Sequence, residues 1–140
     1  MELNNFIFYS LKLTNRALFI NNTEVLKNFS NKYKVGNLLL ISNNKYEKPF
    51  LHTHCVSYLG ESITEAYEDN SLNSYVDFIY IELDVNEPLP LKSLRDVFSE
   101  LSTTVLIKSP YELKTDTFRF FNQLCTVINL DGQEYLAYVP

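Results

Sequence analysis

The chain has 140 residues, 46% of them apolar and 21% charged, which is the composition of one globular domain able to bury a core. Its formal charge of −5 argues against direct binding of nucleic-acid phosphates or of an anionic membrane surface. No apolar run approaches bilayer length, and Met1-Glu2-Leu3-Asn4-Asn5 lacks the basic start of a secretory signal, so a cytoplasmic protein is expected.

The aromatic and branched run Phe6 to Leu13 (FIFYSLKL) predicts a first strand. Asn22 or Thr23 caps a helix reaching about Tyr33, with Val25, Leu26, Phe29 and Tyr33 on one face and Gly36 as its left-handed end. Leu38 to Ile41 is a short buried strand, Asn43-Asn44-Lys45 a turn, and Phe50 to Tyr58, after Pro49, a further extended segment. Ser62-Ile63-Thr64-Glu65 is a capping box, with Ser62 accepting from the Glu65 amide and Glu65 reaching back to the Ser62 amide. It opens a short helix from Ile63 to about Glu68.

Asp69 to Ser74 reads as a loop, and Val76 to Val85 (VDFIYIELDV) is the longest strand signal, expected to cross the middle of the sheet. Beyond Pro88 and Pro90, the residues Leu91, Leu94, Val97, Phe98 and Leu101 make a helical stripe, followed by a strand from Thr104 to Ile107. Ser109-Pro110 opens a last helical segment through Phe118, Phe121 and Leu124. The chain closes on a hairpin whose Asp131-Gly132 turn sets Leu130 opposite Gln133, Asn129 opposite Glu134 and Val127 opposite Leu136. Strands and helices in this mixed order predict an α+β fold: a mixed, largely antiparallel sheet, three to four helices and a C-terminal hairpin in a single domain spanning residues 1–140.

With only three glycines there is no phosphate loop or dinucleotide fingerprint, and there is no HExxH or nucleophile elbow. His52 and His54 would share a strand face, but no third ligand stands near them, so no metal site is assigned. Cys55 and Cys125 read as two reduced core thiols. Abundant Asn and a preference for Lys over Arg suggest an AT-rich bacterial or phage genome.

Three segments carry a family likeness. They are Tyr58-Leu59-Gly60-Glu61-Ser62-Ile63-Thr64-Glu65-Ala66-Tyr67; Phe78 to Leu89 (FIYIELDVNEPL); and Thr126 to Asn129 with Glu134 to Pro140. In that order they resemble the strand-turn-helix element, the following strand and the closing hairpin of small mono-ADP-ribosyltransferases, over roughly the last two thirds of the chain. The resemblance implies NAD as cofactor, Glu134 as the carboxylate that stabilises an oxocarbenium-like state, and Tyr58 and Tyr67 as a clamp on the nicotinamide ring. It also implies that the first strand binds cofactor, with Tyr9 standing at the family's His position and Ser10 at its Gly. A tyrosine hydroxyl donates one hydrogen bond and does not reproduce both imidazole nitrogens.

Two functions stay open at this point. One is an NAD-dependent transferase modifying a macromolecular target, a protein. The other is a non-catalytic phage inhibitor or immunity protein that needs no cofactor and masks a partner protein with its acidic surface.

Overall fold

The computed structural model describes residues 1–34, 37–42, 56–68, 75–83, 103–109, 119–120 and 123–140. In chain order these contain α1 (Leu3–Ser10), β1 (Arg16–Ile20), α2 (Thr23–Lys32), β2 (Asn37–Ile41), β3 (Val56–Gly60), α3 (Ile63–Glu68), β4 (Phe78–Glu82) and β5 (Thr104–Lys108). They continue with the two-residue strands β6 (Arg119–Phe120) and β7 (Gln123–Leu124), then β8 (Thr126–Leu130) and β9 (Gln133–Tyr138).

Seven strands form one sheet in the order β3-β2-β1-β4-β5-β9-β8, while β6 and β7 pair with each other. The first five are mutually parallel, and β9 runs antiparallel between β5 and β8. The expected largely antiparallel α+β sheet is therefore corrected to a mainly parallel one closed by an antiparallel hairpin. The physical reason lies in the strands themselves. Ala17–Ile20, Leu38–Ile41, Phe78–Ile81 and Val105–Ile107 are continuous apolar runs buried on both faces, as parallel strands covered by helices must be.

One sheet face carries Phe19, Leu40, Phe78, Tyr80 and Leu106 and packs against Ile7 of α1 and Leu26 and Phe29 of α2. The other carries Leu18, Ile20, Ile41, Ile79, Ile81 and Ile107 and receives Ile63 and Ala66 of α3. Helices on both faces of a mainly parallel sheet make this a doubly wound α/β arrangement.

The first predicted strand is a helix. Leu3, Phe6, Ile7 and Leu11 recur at helical spacing and join the core on the α2 side, so burial of this stripe outweighs the β propensity of Phe6, Ile7 and Phe8. The helix is fastened at both sides. Lys32 Nζ reaches Glu2 Oε2 at 2.6 Å and Asn5 Oδ1 at 3.0 Å, and the Phe8 ring stacks on Tyr33 at 4.3 Å between centroids. Tyr9 and Ser10 consequently lie on α1 rather than on a strand. The true first strand begins at Arg16, after a turn in which Asn15 takes a positive φ of 55°.

The other elements follow the sequence more closely. α2 is capped by Asn22, whose side chain accepts from the Val25 amide at 3.0 Å, and it ends at Tyr33. α3 has the expected capping box with one change: Glu65 accepts from the Glu61 amide at 3.0 Å, while its own amide donates to Ser62 Oγ at 3.1 Å. β4 is the central strand of the seven. Residues 119–120 and 123–124 pair as strands where the Phe118-Phe121-Leu124 spacing predicts a helix. The terminal hairpin has the predicted register, with Asp131 and Gly132 both at positive φ. The expectations for Gly36, the 43–45 turn, most of the Phe50–Tyr58 segment, His52, His54, Cys55, the 69–74 loop and the helix through Leu101 lie outside the described residues. Among the described residues, no helix is long and apolar enough to cross a membrane, and Cys125 is an unpaired buried thiol.

Candidate functional site

From β1 the chain moves one way along the sheet to β2 and β3, and β4 and β5 then build outward from the other side of β1. The strand order therefore reverses between β1 and β4, and in open α/β sheets ligands usually bind in a crevice beyond the carboxyl ends of the strands at such a point. Three polar residues meet there. Asn21 and Asn22 form the whole connection between β1 and α2, and Glu82 is the last residue of β4.

Asn21 holds a positive φ of 67°, a conformation that Asn tolerates better than most side chains. Its amide donates to the Ile41 carbonyl at 2.9 Å and its side chain to the Glu82 carbonyl at 3.2 Å. Asn22 works in two directions: Oδ1 caps α2, and Nδ2 donates to Glu82 Oε2. The Tyr80 hydroxyl lies 3.4 Å from that same oxygen, on the same face two residues earlier. Among the described residues, only Oε2 of the Glu82 carboxylate is engaged, and Oε1 is left to accept from a ligand.

Burial, reinforced by the Glu82 charge and then by Tyr135, raises the Tyr80 pKa far above that of an ordinary tyrosine. Tyr80 thus remains a neutral donor that orients the carboxylate throughout the physiological range. The neighbouring strand ends are tied together in the same way. Ser42 donates its amide to the Gly60 carbonyl at 3.1 Å, Tyr58 donates its hydroxyl to the Ser42 carbonyl at 2.7 Å, and Leu83 donates to Lys108 at 2.9 Å. Lys108 is the register partner of Glu82 on β5.

The residues singled out from the sequence do not gather here. Tyr58 is on β3 at one edge of the sheet and Glu134 on β9, five strand positions away, which at ~4.8 Å per strand separates them by about 24 Å. Glu134 is an exposed cross-strand neighbour of Asn129. Tyr67 lies in α3, on the opposite side of the sheet from α1, which carries Tyr9, 63% exposed, and Ser10, whose hydroxyl donates to the Phe6 carbonyl at 2.8 Å. Sequence reasoning missed Asn21, Asn22 and Glu82. The available signal was an Asn pair between an apolar run and a capped helix, together with an acid within the longest strand signal, Val76–Val85.

The donor set decides what can be held here. Glu82 offers an acceptor to hydroxyl or ammonium donors, and the amino end of α2 favours a ligand carboxylate. An Asn-Asn turn takes the place of the glycine-rich turn common after the first strand of such sheets.

No family model matches the chain, and no curated protein matches it. Solved structures do. A methyltransferase from Geobacter sulfurreducens superposes with a TM-score of 0.61 at 10% identity, covering 99% of this chain and 78% of that one. A protein of Escherichia coli assigned as a methyltransferase gives 0.59 at 11% identity over 96% and 81% of the two chains, and one of Haemophilus influenzae assigned as a methylase gives 0.57 at 11% over 99% and 88%. These likenesses overturn the ADP-ribosyltransferase resemblance and its NAD cofactor, and they give no support to the masking inhibitor or immunity protein. The chain shares with these three structures the doubly wound fold.

Proposed function

We propose that this chain is a methyltransferase-like protein that binds S-adenosylmethionine in the crevice beyond β1 and β4, with Glu82 as the ligand-contacting acid. The observation that carries the reading is the placement of a partly engaged carboxylate where the strand order reverses. The likeness to three methyltransferase structures supports it. When bound, the group offers a methyl carbon on a sulfonium to an attacking nucleophile.

The protein's own residues hold the reactant. Glu82 Oε1 would accept from a ribose hydroxyl or the ammonium, with Asn22 and Tyr80 fixing the carboxylate through Oε2, and the first turn of α2 would face the ligand carboxylate; a ligand without phosphate needs no glycine-rich cradle. Cys125, kept as a thiol, suits the reducing cytoplasm in which we place the protein.

Calorimetric titration with S-adenosylmethionine and with S-adenosylhomocysteine tests this. Saturable binding to the wild type, weakened about tenfold or more by Glu82→Gln without loss of fold, is expected for a charge-assisted hydrogen bond. Absence of binding to the wild type at millimolar ligand, or equal affinity in the variant, would remove the assignment.

A further inference from the structure

The opposite end of the strands carries a concavity. A cavity of about 440 Å³ opens at the amino ends of the strands, between α1, the link into β1, the start of β5 and the end of β9. Its wall includes Phe6, Tyr9, Lys12, Leu13, Thr104 and Val139. Thr104 and Lys108 are the two ends of β5, so this cavity and the Glu82 crevice are about 13 Å apart along the strand and face opposite ways.

Several observations make it more than a surface irregularity. Of the eight large apolar side chains exposed among the described residues, four line this cavity: Met1, Tyr9 at 63%, Leu13 at 75% and Val139 at 59%. Apolar exposure clustered around a concavity marks a binding surface. The wall is also held firmly. The Leu13 amide donates to Asp77 Oδ2 at 2.9 Å and the Thr104 amide to the Asp77 carbonyl at 2.9 Å, so one fully buried residue fixes two sides of the cavity. The charge of the lining runs against that of the chain. In a protein of formal charge −5, the lining includes Lys12 and, among the described residues, no acidic side chain, with Met1 and Pro140 at the two ends of the sequence also on the wall. Lys12 makes no ion pair or hydrogen bond among the described residues.

We propose that this cavity is a ligand site for an amphipathic organic anion, an aliphatic or aryl carboxylate. Its apolar body lies against Phe6, Tyr9, Leu13 and Val139, and its carboxylate pairs with Lys12. The volume falls in the range of small-molecule sites, about 300–1,000 Å³. The acidic remainder of the protein disfavours anions in general, which leaves Lys12 as the local source of selectivity.

The test is an NMR titration of the full chain, isotopically labelled, with octanoate, octanol and octylammonium as probes. Saturable shifts at the Leu13 and Val139 methyls and at Tyr9 are expected with octanoate, with octylammonium about tenfold weaker or more. Lys12→Glu should reverse that preference while leaving octanol unchanged. Equal binding of the three probes in both proteins, shifts mapping elsewhere, or no saturation by octanoate would overturn the proposal. Glu82→Gln should leave octanoate binding intact, so failure of this site and failure of the methyl-donor reading are separately visible.

Discussion

Asn22 donates its side-chain amide to Glu82, so the residue that starts α2 also holds the acid at the end of β4. Helix capping and acid orientation are therefore separable by substitution. Asn22→Ala should lose both and cost about 1 kcal/mol of stability, the usual value for a lost cap. Asn22→Asp should keep the cap but set a like charge against Glu82, lowering affinity for S-adenosylmethionine with a smaller loss of stability. Urea unfolding beside ligand titration of the two variants checks this, and identical stabilities would contradict it.

Asp77 is the second position where one carboxylate organises a long stretch of chain. It is fully buried, and its Oδ2 accepts from the consecutive amides of Leu13, Thr14 and Asn15 at 2.8–2.9 Å. Asp77→Ala should leave these donors without their acceptor and cost about 2–4 kcal/mol, a substantial fraction of a domain's stability of about 5–15 kcal/mol. Asp77→Asn, which keeps one acceptor oxygen but no charge, should fall between the two. Denaturation midpoints order the three proteins.

Stability should fall on the alkaline side. Burial pushes the Cys125 thiol up to about 11 from an ordinary value of 9.0. The folded protein then retains a proton that the unfolded chain releases, so the stabilisation is complete below about pH 9 and is lost as pH rises through about 11. Tyr80 and Tyr135, both raised chiefly by burial, act in the same direction at higher pH. Cys125→Ala should flatten the thermal-unfolding profile between those pH values. An unchanged slope would contradict the assignment.

Gly60 ends β3 at a φ of +148°, and a Cβ placed there would lie 3.3 Å from the Glu65 side chain, which folds back onto the Glu61 amide. Gly60→Ala should cost about 1–3 kcal/mol, combining an unfavourable backbone conformation with crowding of the cap. Adding Glu65→Ala should relieve the crowding but not the backbone strain, so a double-mutant cycle with a clear coupling energy is expected.

Local signals were legible in the sequence and long-range ones were not. The Asp131-Gly132 turn, the Asn22 cap and the Ser62-to-Glu65 box act within a few residues of themselves, and each formed at its expected position. The direction of strand pairing differs from expectation because the terminal hairpin is a local antiparallel signal, whereas the continuous apolar runs at Leu38–Ile41 and Phe78–Ile81 belong to strands buried on both faces. The segment after Leu3 differs because Phe6, Ile7 and Phe8 favour strands, while the stripe of Leu3, Phe6, Ile7 and Leu11 fixes it as a helix only once α2 and the sheet supply a surface. The site was illegible for a topological reason: Asn22 and Glu82 are 60 positions apart and meet only because β4 pairs beside β1.

That pairing also bears on how the protein is made. β1 has β2 on one side, but its other edge waits for β4, after β3 and α3 have been synthesised. At about 5–20 residues per second on a ribosome, the apolar edge Ala17–Ile20 spends seconds without its second neighbour. A nascent chain arrested just before Phe78 should therefore expose a template for intermolecular strand addition and depend on chaperones, whereas one arrested beyond Glu82 should be protected at β1.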